Sequence, residues 1–331
     1  VLDFSKSPPA VLGEIEAPTS VVGPPLTVAV APDQSIALVT SATKIDSADP
    51  TKIVPNDIVS VIDLQAKPIR VVQTLHAGMG ASGVSINRAG NLAGVANRQD
   101  GTVSIFSISA KQVTPIGKVT VGDDKSGPSH VVFTPDGKRA LVTRDGDHGI
   151  TLLSVNGTKV ETTDRTFYAG LRPYGVDIAA DGSVAVVANL GRGQGDHDTI
   201  SVIDMRADPP RTVNTVTVGV APEGIKLSPD GRWCAVVLHN GSNLSPASPF
   251  FNANSKLVLF RRDGKQLVKV AEAPSGAWGQ GVAFSPDSKT ILVQSMSEKA
   301  IQVFSFDGTA LRPTHRVALS GGGAALRTRD R

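Results

Sequence analysis

Cysteine occurs once in 331 residues, as Cys234 inside the apolar run "WCAVVL". A single thiol excludes an internal disulfide and reads as a small buried hydrophobe. No CxxC, CxxCH or Cys/His zinc spacing is present. Aromatics are scarce, at 4% of the chain with two tryptophans. No apolar run approaches the length of a membrane span. Basic residues exceed acidic ones by three, and they form no run long enough for a nucleic-acid groove. The GxSxG nucleophile elbow and the Gly-rich phosphate loop are both missing. What remains is a globular composition, 40% hydrophobic and 19% charged.

The chain is internally repetitive. A turn of the "SPDG" type begins at residues 31, 87, 134, 179, 228 and 285, so successive copies lie 45 to 57 residues apart. Short Val- and Ile-rich runs flank each turn, for example "ALVT", "AVVAN" and "ILVQ", and a third follows, as in "VSVIDL" or "ISVIDM". Runs of this length bounded by Gly, Pro, Asp and Asn are strands joined by hairpin turns. Helical periodicity is sustained nowhere. Four antiparallel strands per repeat specify an all-β propeller. Six repeats are complete, spanning about 24–322. The C-terminal "GGGAALRTRD" matches a first strand, and the N-terminal "VLDFSKSPP" matches "VIDMRADPP" at 202–210. The expectation is a single domain over 1–331 with seven blades, the last split between 1–20 and 323–331. Strands from both termini would close the ring and remove exposed edges. Neither end supplies a second strand for that blade, so the natural chain is expected to extend upstream of Val1.

The runs "ALVTS", "AGVAN" and "AVVAN", each after an SPDG-like turn and before a "TVSV"-like strand, resemble the YVTN-repeat propellers. These form a wider group with the lactonase-type propellers, including bacterial 6-phosphogluconolactonase and fungal carboxy-muconate lactonising enzyme. The resemblance covers nearly the whole chain and implies the seven-bladed fold. With the missing upstream segment, it also implies a periplasmic or secreted location. One such fold hosts many functions.

With strands a to d running outward from the axis, the SPDG turns share one face, the bottom. The longer loops "SATKIDSADPTKIVPND", "NLGRGQGDHD" and "HNGSNLSPASPFFNANS" fall on the top, where binding usually resides. Register sets two rings at the top mouth. The start of strand a holds Leu26, Ser82, Ser129, Tyr174, Glu223, Gln280 and Gly322. The end of strand b holds Ser41, Asn97, Arg144, Asn189, His239 and Ser295. Both are expected to approach the channel, and both are mostly polar, which a dry core would not tolerate. Water in the channel accounts for the Ser and Asn members, and Asn97 and Asn189 match the last letter of YVTN.

The ionisable members depart from this background. His130 replaces the glycine found at Gly83, Gly175, Gly224 and Gly281. Arg144, Glu223 and His239 lie in the same three consecutive blades, with Arg172 and Tyr174 between them. Such a set can bind a carboxylate and transfer a proton. The segment "GPSHVVFTPDG" is similar to the histidine-bearing strand of the lactonase group. That resemblance implies catalytic roles for His130, Glu223 and Arg144. Arg172, Tyr174, His239, Asn97, Asn189, Ser82 and Gln280 would then contact substrate. The loops "RDGDHG" and "GQGDHDT" read as turns rather than metal sites, and no metal or other cofactor is expected.

Two functions follow. One is a lactonase or cycloisomerase acting on a small carboxylate- or lactone-bearing substrate in the top funnel. The other is a non-catalytic propeller that binds a ligand or protein partner through its top loops. Neither involves nucleic acid or a membrane span.

Overall fold

The computed structural model describes residues 1–4, 6, 8–22 and 24–329. Six four-stranded antiparallel sheets follow one another along the chain. Blade one comprises Val28–Val30, Ile36–Ile45, Ile53–Asp63 and Arg70–His76. Blade two comprises Ala81–Ile86, Leu92–Asn97, Thr102–Ser109 and Gln112–Thr120. Blade three comprises Pro128–Phe133, Arg139–Arg144, Gly149–Asn156 and Lys159–Tyr168. Blade four comprises Pro173–Ile178, Val184–Asn189, Asp198–Asp204 and Arg211–Gly219. Blade five comprises Pro222–Leu227, Trp233–Leu238, Ser255–Asp263 and Gln266–Ser275. Blade six comprises Gly279–Phe284, Thr290–Ser295, Ala300–Phe306 and Leu311–Ala318. Strands a to d pair in sequence order in every sheet. The fold is an all-β propeller, and no helix among the described residues is long and apolar enough to cross a membrane.

Burial follows the order of the strands. Strand a of blades two, three and six is buried at every position. Strand d of blade one alternates between exposed and half-buried, as an outer strand facing water must. The core consists of clusters between adjacent blades, such as Val131, Phe133, Val142 and Leu153 of blade three with Leu92, Val103 and Ile105 of blade two.

The bottom turns are nearly uniform. Asp33, Asp136, Asp181, Asp230 and Asp287 each accept the backbone N–H two residues on and a Ser or Thr hydroxyl of the same turn. Asn87 takes this part in blade two. These side-chain bonds mimic a backbone turn. The stretch 41–57 departs from the expected long loop. Strands b and c of blade one continue outward as a hairpin, with Lys44 opposite Val54 and Ile45 opposite Ile53, because alternation persists there.

A two-stranded sheet pairs Leu2–Asp3 with Ala10–Val11. Residues 320–329 are assigned no strand, although the Gly281 N–H donates to the Ala324 carbonyl at 2.8 Å. Leu2, Phe4 and Leu326 pack together against Leu292, Ile301 and Val303 of blade six. Both chain ends therefore meet on blade six, but among the described residues they form no seventh four-stranded sheet. Ser5, Ser7, Asp330 and Arg331, within the segments assigned to that blade, lie outside the described residues.

Candidate functional site at the top mouth

Every blade from two to six enters its innermost strand through the same corner. The residue before strand a has positive φ: Gly80, Gly127, Arg172, Ala221 and Trp278. Its carbonyl accepts the N–H of the residue just past strand b: Arg98, Asp145, Leu190, His239 and Met296, respectively. The a–b ladder then shifts register. Pro128 pairs with Arg144 but His130 with Thr143, and Pro222 pairs with Leu238 but Gly224 with Val237. The bulged residues are Ser129 and Glu223. A bulge re-aims a side chain, and bulges concentrate at functional rims.

This corner separates the second expected ring into two. Leu238, not His239, shares the register of Asn97, Arg144, Asn189 and Ser295. His239 belongs instead with Arg98 and Asp145, one residue further on. The strand-b ends hold their own blades together. Asn97 Nδ2 donates to Thr102 and Ser104, and its Oδ1 accepts the Gly78 N–H. Asn189 bonds Thr199 and Ser201 in the same manner. Arg144 stands in this register too. It donates to the Val121 carbonyl and pairs with Asp147 at 3.1 Å. No hydrogen bond or ion pair joins Arg144 to Glu223.

The residues one position on meet the start of strand a. His239 Nε2 and Glu223 Oε2 are 2.6 Å apart, and both residues are buried. Asp145, also buried, is gripped by Arg98 at 2.7 Å and Arg172 at 2.8 Å, and it accepts the Ser129 hydroxyl at 2.8 Å. Arg98 donates to Ser129 as well, and its guanidinium lies 5.5 Å from the Tyr174 ring centre. Burial pushes the Tyr174 phenol well up; the nearby Arg98 opposes this, and Glu223 and Asp145 add to it. Burial works against the Arg98 charge, yet Tyr174, Asp145 and Glu223 outweigh it and raise its pKa. One electrostatic field thus spans blades two to five. Arg98 and Arg172 remain 25% and 37% exposed, so their free N–H groups can still reach a ligand.

The other expected residues divide between wall and rim. His130 is 1% exposed, on the innermost strand of blade three. Its imidazole occupies the space that Gly83 leaves: a Cβ on Gly83 would come within 2.7 Å of the ring and 2.5 Å of the Ser129 carbonyl. Ser82 donates to that same carbonyl. Gln280 is 2% exposed, and its Oε1 has no hydrogen-bond partner among the described residues. In the acidic loops, Asp147 is committed to Arg144, His148 Nδ1 accepts the Arg172 N–H, and Asp198 accepts the Ala221 N–H. Burial raises the Asp198 pKa, partly offset by that N–H, and Asp196 raises it further. Among the described residues no group of three or more His, Cys, Asp or Glu is placed to hold a metal.

Arg98 and Asp145 were missed by sequence reasoning, although a signal existed. Strand b ends ten residues after each turn begins, so position eleven reads Arg98, Asp145, Leu190, His239 and Met296. A separate cavity of about 70 Å³ opens at the bottom face, lined by Arg88, Phe133, Asp177, Lys226 and Arg329 among others. There Lys226 pairs with Asp177 at 2.9 Å.

Fold and site together define a β-propeller whose upper mouth carries the Arg98–Asp145–Arg172 cluster and the buried Glu223–His239 pair. The family model for the lactonase, 7-bladed beta-propeller, matches residues 120–248, less than half of the chain. That stretch contains Asp145, Arg172, Tyr174, Glu223 and His239, and the match bears out the resemblance to the lactonase-type propellers. No curated protein matches the sequence. Among solved structures, hydrazine synthase of Kuenenia stuttgartiensis is similar at 17% identity and TM-score 0.72, over 96% of this chain and 92% of that one. A periplasmic gluconolactonase of Pseudomonas aeruginosa is similar at 18% identity and TM-score 0.71, over 92% and 87%. A putative 6-phosphogluconolactonase of Bacteroides fragilis gives 19% identity and TM-score 0.70, over 92% and 86%. These likenesses establish the fold.

Proposed function

We propose that this protein is a lactonase-type hydrolase acting on a small carboxylate- or lactone-bearing substrate at the top mouth. The observation that carries this reading is the buried Glu223–His239 pair at 2.6 Å, within the stretch matching the lactonase family; Glu223 also acts electrostatically on Arg98. In this reading Arg98 and Arg172 hold the substrate's anionic group or its developing oxyanion, and Asp145 fixes both guanidiniums. The Glu223–His239 pair takes a proton from water as it attacks the lactone carbonyl. The ring C–O bond breaks, and the proton passes to the leaving alkoxide.

Glu223 thus keeps the role that the resemblance implies, with His239 as its partner. His130 and Arg144, for which the resemblance implies chemistry, shape the wall and blade three here. Tyr174, Ser82 and Gln280 line the substrate, while Asn97 and Asn189 hold the corners that present the site. Cycloisomerisation of a muconate would draw on the same groups in the opposite sense. Seven blades, with the seventh completed by segments of both termini, and a periplasmic or secreted location belong to the same proposal.

A panel of aldonolactones, simple lactones and muconates tests it. Wild type should turn over at least one member, Glu223→Gln should lose roughly 10²- to 10⁴-fold, and His130→Ala should retain most activity if it folds. Absence of turnover across the panel overturns the enzymatic reading. A binding role is then the second reading, favoured by Phe250 and Phe251, 43% and 37% exposed on the loop 245–254. Deleting 247–252 would then abolish partner capture while leaving the thermal transition in place.

A further inference from the structure

Ser129 and Glu223 are both answered within their own blades. The first donates to Asp145, and the second pairs with His239. Gln280 holds the same bulged position in blade six, where Gly279 pairs with Ser295 and the ladder resumes only at Val282 and Val293. The residue that should answer it is Met296, whose N–H closes the corner on the Trp278 carbonyl at 3.0 Å. A thioether is too weak an acceptor, and no donor, to satisfy an amide. Among the described residues, Gln280 Oε1 is accordingly buried without a hydrogen-bond partner, as is the indole Nε1 of Trp278, two residues earlier. Buried polar groups left unpaired are costly, so such pairs call for an explanation. Trp278 is moreover held at φ 53°, a conformation that bulky residues adopt only under constraint.

We infer that Gln280 and Trp278 form a neutral hydrogen-bonding subsite that reads an uncharged hydroxyl group of the substrate. The hydroxyl hydrogen is donated to Gln280 Oε1, and its oxygen accepts from Trp278 Nε1–H. Gln280 follows directly on the blade that carries Glu223, and its backbone carbonyl lies where a Cβ on Gly224 would stand. The hydroxyl sector therefore adjoins the acid–base pair on the side away from Arg98. A site built to bond a hydroxyl rejects the analogue lacking it, because the unpaired protein groups remain buried. The inference rests on the lactonase reading for its substrate, not for its geometry.

The test compares glucono-1,5-lactone with δ-valerolactone, which has the same ring and no hydroxyls. Wild type should favour the first in kcat/KM by roughly 100-fold or more. Gln280→Leu should narrow that ratio by roughly tenfold, through a loss on glucono-1,5-lactone that exceeds any loss on δ-valerolactone. Met296→Gln supplies Gln280 with an internal partner, so it should narrow the ratio without removing the amide. A ratio unchanged in both variants, or an equal loss on both substrates, overturns the subsite. If neither lactone is turned over, thermal shift with excess gluconate decides. A shift seen in wild type and lost in Gln280→Leu keeps the subsite, while the lactonase reading stands or falls on the full panel. No shift in wild type, or one retained in Gln280→Leu, overturns the subsite.

Discussion

The bottom and top of this propeller are made from the same four-strand unit, and they treat repetition in opposite ways. At the bottom, five turns use an Asp to accept the same backbone N–H two residues on, so the blades close their turns alike there. At the top, five corners share one backbone geometry, yet the residue closing each is Arg98, Asp145, Leu190, His239 or Met296. What repeats is what each blade needs to fold. What differs at a fixed backbone position is free to serve a ligand, and it is there that charge and hydrogen-bonding capacity collect. The bottom cavity, with Lys226 already paired to Asp177, shows among the described residues no acid–base pair of the Glu223–His239 kind.

The comparison can be broken from either end. After Glu223→Gln, the largest effect is expected at the top, from Asp145→Asn. Arg98 and Arg172 lose their shared anchor, so KM for an anionic substrate should rise by roughly tenfold or more, with a smaller change in kcat. Steady-state kinetics would show it, and an unchanged KM would remove the arginines from the site.

A second effect concerns stability between blades. Lys111 holds the Asp63 carboxyl below its usual range, and Lys265 does the same for Asp204; in each case the lysine's hydrogen bond is the leading cause. These lysines come from the next blade along. A depressed folded-state pKa contributes stability above the unfolded value, about 3.9, and loses it as pH falls through the folded one. Thermal midpoints should therefore decline below about pH 4, and Asp204→Asn should decline less steeply. A parallel decline in wild type and variant would show that this clamp contributes nothing.

The smallest effect is expected at a single bottom turn. Asp230→Ala removes bonds to Ser228 and Arg232 and should cost about 1 kcal/mol in denaturant unfolding, with kcat/KM unchanged. A drop in activity would blur the division between the two faces.

The division also governs what the sequence discloses. The six turns are visible because Pro-Asp-Gly chemistry is local, and the strands because Val and Ile dominate the runs between turns. His130 stands out because it breaks a column of glycines. At that break the imidazole fills the space above Gly83. The corner residues are harder to see. In blade five the apolar run "WCAVVL" carries no polar letter where the strand ends, so His239 slips into the Asn97 column by one residue. One residue in a strand reverses the face, which is why Arg144 turns to Val121 while Asp145 meets Arg98. Glu223 and Tyr174 were legible, because each directly follows the Pro that opens its strand a. The meeting of both termini on blade six depends on ring geometry, and Leu2 and Leu326 carry no local sign of it.

The most direct test is to determine where a carboxylate ligand such as gluconate binds in a crystal. The account predicts its carboxylate at the top mouth, contacting Arg98 and Arg172, with a hydroxyl within hydrogen-bond reach of Gln280. Ligand density confined to the bottom cavity beside Arg88 and Lys226, with Glu223 and His239 untouched, would contradict it.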